Sequence, residues 1–307
     1  MQQRRPSNFD LAPYRRLYPF ESHYASLSGL RCHYLDEGRG ETLVLIHGNP
    51  TWSFYFRNLI TALRDSYRLI APDHIGCGLS EKPGQDRYSY RLQSRIDDLE
   101  DLLGQLEIKT DITLVVHDWG GPIGLGYAGR HLQSIKRLII FNTGAFLPKG
   151  KQLPWQLRAV RDTKLAAILV RAFNAFSLAA TVIGSSNGLA PDVKRAYRAP
   201  YNSWRNRIAT LRFVQDIPLK PQDPSFAHLD LLDNTLKQLG HVPALICWGE
   251  RDFVFDRHFL NRWRTYLPQA EVHAFADAGH LVMEDAAAEI IPIVRRFLEK
   301  HPPRSKS

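Results

Sequence analysis

The sequence predicts an α/β protein in which a mostly parallel sheet is flanked by helices and interrupted by a mainly helical insertion. Apolar runs of strand length alternate with helical patterns in residues 21–146 and again in residues 229–300, which is typical of βαβ units. This alternation stops in residues 147–228, where irregular helical patterns and many prolines replace it. A chain of 307 residues is also long enough to bury a large core without disulfides.

The elements of the first half follow from the spacing of their apolar residues. Continuous apolar runs predict strands buried on both faces, and apolar residues three or four apart predict helices. Ser53 precedes the first helical pattern and is expected to be its N-cap. In chain order we expect two strands in residues 23–38 around a Ser28–Gly29 turn, a strand at 42–48, a helix at 54–64, a strand at 67–73, a helix at 92–106, a strand at 111–116, a helix at 121–131 and a strand at 136–141.

The second half of the chain resumes the same alternation of strands and helices and adds further strands to the sheet. In open parallel sheets, ligands bind beyond the carboxyl ends of the strands, so polar residues that follow strands are the candidate site residues. The expected elements are a helix at 229–239, a strand at 243–249, a helix at 257–266, a strand at 271–275 and a helix at 284–300. The polar residues after strands are His47, Gly48, Asn49, Asp73, His74, Asp118, Trp119, Asn142, Asp252 and His280.

The positive charge of the chain is concentrated in the insertion. Between Leu147 and His228, thirteen lysines and arginines stand against four aspartates, a surplus that equals the net charge of +9 for the whole chain. A solvated basic face is the simplest interpretation, and the alternatives are a homo-oligomer contact or contact with an anionic partner or a membrane surface. Nucleic acid is not expected, because no nucleic-acid-binding motif accompanies the charge.

Cysteine, histidine and N-terminal patterns restrict the remaining possibilities. Three scattered cysteines, Cys32, Cys77 and Cys247, predict reduced thiols and a cytoplasmic protein. The basic N-terminal extension, residues 1–20, contains Arg4–Arg5 but lacks the apolar stretch of a secretory signal. No apolar run reaches the length of a membrane span. The histidines show no metal-ligand spacing, so we expect neither a metal nor a cofactor.

Three of the polar residues after strands have the side-chain types of a nucleophile, an acid and a base: Asp118, Asp252 and His280. They follow the chain order of hydrolase triads built on parallel sheets. The match to the nucleophile elbow is partial, because Val116 stands where its first glycine would be. Each residue also has a simpler interpretation: Asp118 as a helix N-cap, His280 as a packed histidine, and Asp252 as a loop carboxylate with Glu250 as its rival.

Five segments together carry a resemblance to a known family: HGNPTWSFYFR, PDHIGCGLS, VVHDWGGPIG, CWGERDFVF and AGHLVMED. They resemble the haloalkane dehalogenases of the α/β-hydrolase fold over about residues 20–300, with residues 147–228 as the cap. The resemblance implies that Asp118 is the nucleophile, that His280 activates water and that Asp252 orients His280. It also implies that Asn49 and Trp119 hold the leaving halide.

Asn142 stands where one branch of that family keeps a glutamate, so the chain resembles the third branch. That branch includes proteins similar to β-lactone decarboxylases of long-chain cis-olefin biosynthesis, and the sequence does not separate the two activities. A cap rich in Phe and Leu would suit long apolar substrates. The cap residues considered for this role are Phe173, Phe176, Leu178 and Phe213.

A carboxylate nucleophile suits substitution at saturated carbon. It leaves an alkyl ester, whose carbonyl water can attack, whereas serine would leave an ether. The first hypothesis is therefore hydrolytic dehalogenation of a small apolar haloalkane through an ester on Asp118, followed by hydrolysis with water activated by His280. The side-chain N–H groups of Asn49 and Trp119 would stabilise the halide, and their backbone N–H groups the oxyanion.

Three alternatives remain open from the sequence. The same nucleophile could act on a lactone, giving a β-lactone decarboxylase that makes long-chain cis-alkenes. An epoxide hydrolase would need two cap tyrosines, for which Tyr197 and Tyr201 are candidates, but Asn49 stands where it would need an aromatic residue. A docking module that uses the basic cap is the non-enzymatic alternative.

Several other residues invite a structural interpretation. Ser186 lies in a GSSNG motif, but the motif lacks a preceding strand, so it is not expected to be a nucleophile. Asp73 is expected to be structural, and the Asn49–Pro50 bond is a candidate for the cis form. The histidines expected only to pack or to support the site are His47, His74 and His117.

Overall fold

An eight-stranded sheet organises the computed structural model, which describes residues 9–147 and 150–302. Its strands are β1 (His23–Leu27), β2 (Leu30–Gly38), β3 (Glu41–Ile46), β4 (Tyr67–Pro72), β5 (Ile112–His117), β6 (Ile135–Phe141), β7 (Ala244–Gly249) and β8 (Glu271–Phe275). The spatial order is β1-β2-β4-β3-β5-β6-β7-β8. Only the pairings that involve β2 are antiparallel, so the mostly parallel sheet predicted from the sequence is confirmed.

Alternate side chains of the central strands supply two cores, one on each face of the sheet. In β3, Val44 and Ile46 belong to one buried cluster, and Leu43 and Leu45 belong to the other. This double burial explains why the strands appear in the sequence as continuous apolar runs. The register pairs His117 with Phe141, and β5, β6 and β7 therefore end at one edge, where the polar residues that follow them meet.

Helices cover both faces of the sheet. The core helices are α1 (Arg57–Leu63), α2 (Leu92–Gln105), α3 (Gly120–Arg130), α9 (Phe226–Gln238), α10 (Arg257–Tyr266), α11 (Val282–Asp285) and α12 (Ala287–Lys300). The first core packs against α2, α3, α9 and α10, and the second against α1, α11 and α12. The cap helices are α4 (Trp155–Asp162), α5 (Lys164–Phe173), α6 (Ala175–Ile183), α7 (Pro191–Arg198) and α8 (Ile208–Gln215).

Three local expectations need correction. Ser53 is not an N-cap, because it lies inside a short 3₁₀ turn before α1 and its hydroxyl bonds the hydroxyl of Tyr18 at 2.6 Å. The helix expected at 284–300 is two helices that meet at Ala286. The helix expected at 229–239 begins earlier, at Phe226.

Residues 9–20 of the N-terminal extension are packed against the core. Tyr18 and Phe20 are fully buried in the second core, with Phe9 and Leu17 partly buried beside them. The Arg4–Arg5 pair lies outside the described residues. Among the described residues no single helix combines the length and apolar composition of a membrane span; α5 and α6 meet both criteria only when joined across an 80° bend.

Candidate active site

Asp118 occupies the turn between β5 and α3, as the sequence predicted. Its φ of +51° is in the left-handed region, which non-glycine residues rarely adopt and which is typical of constrained functional turns. Two positions around this turn must be glycine, because other parts of the chain approach their Cα atoms too closely for a side chain. A Cβ at Gly120 would overlap the carbonyl of Ile46, and a Cβ at Gly48 would overlap the carboxylate of Asp118.

Backbone N–H groups hold one oxygen of the Asp118 carboxylate. The backbone N–H of Asn49 donates to Oδ1 at 2.6 Å, and the backbone N–H of Trp119 also bonds the carboxylate. The N-cap position of α3 is Trp119, so Asp118 does not serve as the N-cap that was the simpler interpretation. The bond from Asn49 fixes the carboxylate, and Oδ2 lies 3.8 Å from Nε2 of His280.

Asp252 holds His280 in position. Its Oδ2 lies 2.7 Å from Nδ1 of His280, while Oδ1 accepts backbone N–H groups from Val254 at 2.8 Å and Phe255 at 3.1 Å. The rival carboxylate of Glu250 instead pairs with Arg257 at 2.7 Å. The structure thus brings together the three residues that the sequence singled out, with the imidazole between two carboxylates.

The charges of this cluster shift all three pKa values. Burial would lower the pKa of His280, but the Asp252 carboxylate, its hydrogen bond and the more distant Asp118 raise it to about 9. Burial raises the pKa of Asp118 despite the attraction of His280 and the backbone N–H bonds. For Asp252 the attraction of His280 outweighs burial and lowers the pKa. Near neutral pH the resting site therefore holds an imidazolium beside Asp118.

Asn142 connects the ends of β6 and β7 to the acid of the cluster. Its Nδ2 donates to Oδ2 of Asp252 at 3.1 Å and to the carbonyl of Gly249 at 2.9 Å, and its Oδ1 accepts the Gly249 N–H at 2.7 Å. The sequence placed Asn142 among the polar residues after strands, without assigning it a contact. The structure shows that it fixes the position of Asp252.

The GSSNG motif of the cap binds the carboxylate of Asp285. This carboxylate accepts the Ser185 hydroxyl at 2.6 Å and the backbone N–H groups of Ser186 at 2.9 Å and Asn187 at 3.2 Å. It also accepts the N–H of Gly279, the residue before His280, at 2.7 Å. As expected, Ser186 does not follow a strand; it follows the helix α6. Asp285 therefore links this loop of the cap to the loop that carries His280. Sequence reasoning missed this link.

Replacing Asp285 by Asn is expected to lower both stability and turnover. The amide keeps one acceptor oxygen but presents an NH₂ group to N–H donors, which costs about 1–3 kcal/mol and a few degrees of melting temperature. Without this hydrogen bond to Gly279, the adjacent His280 should be held less firmly, which should reduce kcat with little change in KM. The control is Asp277→Asn, because Asp277 is an exposed aspartate of the same loop that pairs with the exposed Arg251. A wild-type melting temperature together with a wild-type kcat would contradict the proposed link.

A cavity of about 310 Å³ lies above the cluster. Asp118, Trp119 and His280 line its base, and apolar side chains of α4, α5 and α6 form much of its wall. The indole N–H of Trp119 has no partner within the described residues. The side chain of Asn49 also lines the cavity, and its Nδ2 donates to the carbonyl of Thr210 at 3.0 Å. An amide nitrogen carries a second hydrogen, which this bond leaves free.

The two cap tyrosines expected for an epoxide hydrolase do not face the cavity. The hydroxyl of Tyr197 donates to Glu284, and that of Tyr201 donates to the carbonyl of Thr51 at 3.1 Å. Neither residue lines the cavity. Their expected role is therefore wrong, because both hydroxyls serve contacts between the cap and the core.

Only one of the four aromatic or leucine residues considered for the cap wall lines the cavity. That residue is Phe176. Phe173 and Leu178 are exposed on the outer surface, and Phe213 is buried beneath Trp119, with ring centroids 5.4 Å apart. The apolar wall was expected, but the side chains that build it come from other positions of α4, α5 and α6.

Asp73 and His117 make the structural contacts that were expected of them. Asp73 accepts the N–H groups of Ser53 at 2.7 Å and Leu79 at 2.8 Å, and its carboxylate lies 2.8 Å from Nδ1 of His33. The Asn49–Pro50 bond is cis. His117 is buried and its Nε2 lies 2.9 Å from the carbonyl oxygen of His280. Within residues 9–147 and 150–302, no cluster of three or more His, Cys, Asp and Glu side chains could hold a metal ion.

Known proteins place the chain in a family. A model of the α/β hydrolase fold family matches residues 41–287. A cis-3-alkyl-4-alkyloxetan-2-one decarboxylase of Shewanella oneidensis is 54% identical over 92% of this chain and 89% of its own. A haloalkane dehalogenase of Mycolicibacterium paratuberculosis is 33% identical over 89% of this chain and 91% of its own.

A solved structure agrees with this placement at the level of the fold. The haloalkane dehalogenase DatA of Agrobacterium tumefaciens C58 superposes with a TM-score of 0.82 at 24% identity, covering 92% of this chain and 97% of that one. The predicted sheet and its helical flanks thus match the fold of a known structure. The chain is an enzyme of the α/β-hydrolase fold family, with a decarboxylase as a close relative and haloalkane dehalogenases as more distant ones.

Proposed function

We propose that this enzyme decarboxylates cis-3,4-dialkyl β-lactones to cis-alkenes, the alternative that the sequence left beside dehalogenation. The observation that carries the proposal is the Asp118 carboxylate at the base of an apolar cavity, with the imidazole of His280 behind it. The relative at 54% identity, whose name describes this reaction, supports it further. Haloalkane dehalogenases stand at 33% identity, so the order of the two hypotheses is reversed.

The first step is substitution at C4 of the four-membered ring. An oxygen of Asp118 attacks C4, the bond from C4 to the ring oxygen breaks, and its electron pair stays on that oxygen as a carboxylate. Oδ2 is the attacking atom, because the N–H of Asn49 already holds Oδ1. The indole N–H of Trp119 and the second amide hydrogen of Asn49 are the donors available to the emerging carboxylate. No proton transfer is needed.

The second step is a decarboxylative elimination that regenerates the nucleophile. The bond from C3 to the carboxylate carbon breaks and releases CO₂, its electron pair forms the double bond, and the bond from C4 to Asp118 breaks. Inversion at C4 in the first step places the two breaking bonds opposite each other, so a cis-lactone yields a cis-alkene. No water is consumed, and the imidazolium of His280 stabilises the Asp118 carboxylate as it departs.

The cavity suits the neutral, lipophilic character of this substrate. Its walls are apolar side chains such as Leu157, Val170 and Phe176, which can contact two alkyl chains without leaving polar groups unpaired. Asn49, Asp118, Trp119 and His280 lie at its base, where the lactone ring would react, and Lys151, Gln152 and Gln156 are the other polar residues of the lining.

Dehalogenation is the second candidate, and one observation favours it. The N–H of Trp119 beside Asp118 has no partner within the described residues and lines the cavity, which is the kind of donor that a departing halide requires. The resulting alkyl ester carries no carboxylate and cannot eliminate. It must instead be hydrolysed by water that His280 deprotonates, with the backbone N–H groups of Asn49 and Trp119 as the oxyanion site.

The decisive experiment compares the two substrates in water enriched in oxygen-18. From a long-chain cis-β-lactone we expect equal amounts of alkene and CO₂, with no label in the peptide that contains Asp118. From a bromoalkane, hydrolysis would place the label in that peptide and release bromide. A β-hydroxy acid from the lactone would contradict the elimination, and absence of turnover with lactone, bromoalkane and epoxide would favour the docking module.

A further inference from the structure

The helices α5 and α6 present an apolar surface to solvent. Leu165 and Phe173 of α5 are 69% and 67% exposed, and Val182 of α6 is 63% exposed. Leu165, Leu169 and Phe173 recur every four residues along one outer stripe, with the exposed Ile168 beside it. A contiguous set of exposed side chains like this marks an interaction surface in a folded protein. We refer to the exposed apolar residues of α5 and α6 as the cap face.

This helix pair is apolar on both its cavity side and its solvent side. The polar residues Asn174, Ser177 and Thr181 are buried, while apolar side chains of the same segment face both the cavity and the solvent. Thr181 donates its hydroxyl to backbone carbonyls of its own helix, so its polar atom is satisfied internally. A helix that turns its apolar side chains outward is stable against an apolar phase rather than against water.

The cavity opens on the cap face. Leu169 of α5 and Ile183 of α6 line the cavity and are at the same time 42% and 52% exposed. The apolar surface therefore continues from the outside of the cap to the base at Asp118. A lipophilic molecule could pass from an apolar phase into the cavity without crossing water.

The charge of the cap identifies which apolar phase fits. No acidic residue lies in α5 or α6, whereas Lys164 begins α5 and Arg171 lies in its last turn. The Arg171 guanidinium stacks 4.6 Å above the ring of the exposed Trp204, a pairing suited to the boundary between headgroups and acyl chains. Two copies of this chain would bring like charges together across such a face. An anionic bilayer surface would neutralise them.

From these contacts we infer that the cap face docks on the surface of an anionic lipid bilayer. Leu165, Phe173 and Val182 enter the acyl boundary, while Lys164 and Arg171 contact lipid phosphates. The mouth of the cavity, at Leu169 and Ile183, then opens toward the membrane interior. The surface alone carries this inference, which does not depend on the reaction that Asp118 performs.

Vesicle flotation tests the docking without any turnover. We expect the full-length protein to float with phosphatidylcholine vesicles that contain about 30% phosphatidylglycerol. It should float less with phosphatidylcholine alone, and less when the salt is raised from about 0.1 M to about 0.5 M. Leu165→Ser/Phe173→Ser/Val182→Ser should lower the partition coefficient at least about tenfold. None of these three residues lines the cavity.

A matched pair of single variants separates docking from general surface hydrophobicity. Leu165→Ser should weaken flotation, whereas Leu231→Ser should not, since Leu231 is 62% exposed but lies on α9 of the core. Melting temperature checks that each variant is folded. Wild-type protein that stays at the bottom of the gradient would overturn the inference. Equal flotation of the wild type and the triple variant would also overturn it. So would a wild-type oligomer that binds no lipid and that the triple substitution converts to monomers.

Discussion

Asp118→Asn is expected to abolish turnover of both β-lactone and bromoalkane, by about four orders of magnitude or more. The amide oxygen has almost the same shape and can still accept the N–H of Asn49, but it is not a nucleophile. Both candidate reactions begin with attack by this oxygen, so the loss should not depend on the substrate. The measurement is single-turnover formation of alkene or bromide, with mass spectrometry to exclude deamidation back to aspartate.

The same variant is expected to fold at least as stably as the wild type. Burial raises the pKa of Asp118, so at neutral pH the folded state bears the cost of a desolvated charge that the amide does not carry. Asp73 is the matched control, because it is a buried aspartate that directly follows a strand of the same sheet, β4. His33 and backbone N–H groups hold the pKa of Asp73 below its ordinary range despite burial, so Asp73→Asn should lose stability instead.

The two aspartates therefore predict opposite results in one thermal melting experiment. Asp118→Asn should be inactive with an equal or higher melting temperature, and Asp73→Asn should melt lower, with any activity loss following its unfolding. Residual turnover above about 1% in verified Asp118→Asn would rule out the covalent mechanism for the substrate tested. The comparison separates a residue kept for chemistry from one kept for structure.

The sheet could be predicted because its strands are buried on both faces. β3, β5 and β7 appear in the sequence as unbroken apolar runs, and each observed strand begins or ends within two residues of its expected limit. The site could be located for a related reason, since parallel strands bring the residues that follow them to one edge. Asp118, Asp252 and His280 met there as expected.

Contacts between the cap and the core could not be predicted in the same way. The hydrogen bonds between Asp285 and the GSSNG loop join residues about a hundred positions apart. No local sequence pattern indicates which carboxylate such a loop will bind. The hydrogen bond from the Tyr197 hydroxyl to Glu284 is a similar case. Such pairings depend on how an irregular insertion settles on the sheet, and helical periodicity does not determine this.

The sequence motifs also could not determine whether the substrate is a β-lactone or a haloalkane. Asn49, Asp118, Trp119, Asp252 and His280 would serve either proposed reaction, because both would begin with the same substitution at saturated carbon. What differs is the fate of the ester. The ester formed from a lactone carries its own carboxylate and can eliminate, whereas the ester formed from a haloalkane must be hydrolysed by water. The residue that distinguishes the two reactions is therefore His280, which would activate that water.

His280→Gln is accordingly expected to affect the two reactions unequally. With a bromoalkane, the ester on Asp118 should accumulate as added mass and hydrolysis should slow by about a thousandfold or more, because no base remains to activate water. With a β-lactone, turnover should fall only about tenfold, since the elimination loses electrostatic assistance from the imidazolium but needs no base. Equal loss on both substrates, or a trapped lactone ester, would contradict elimination as the second step.

The pH dependence of the wild type tests the same distinction without a substitution. With the pKa of His280 at about 9, the imidazolium predominates below that pH and the neutral base above it. Hydrolysis of an alkyl ester requires the neutral base, so dehalogenation should rise with pH. Its midpoint should lie below 9, because esterification removes the Asp118 charge that helps to raise this pKa.

Lactone decarboxylation should show the opposite slope. Its elimination is assisted by the imidazolium, so the rate should decline as the pH rises through the pKa of His280 in the ester, which is also lowered from about 9 by the loss of the Asp118 charge. Rates for both substrates on one enzyme preparation, corrected for unfolding at each pH, make the comparison direct. Parallel profiles would mean that His280 acts as a base in both reactions, and the lactone would then have to react through hydrolysis. Opposed profiles would mean that a single imidazole, held by Asp252, serves one substrate as a base and the other as a fixed charge.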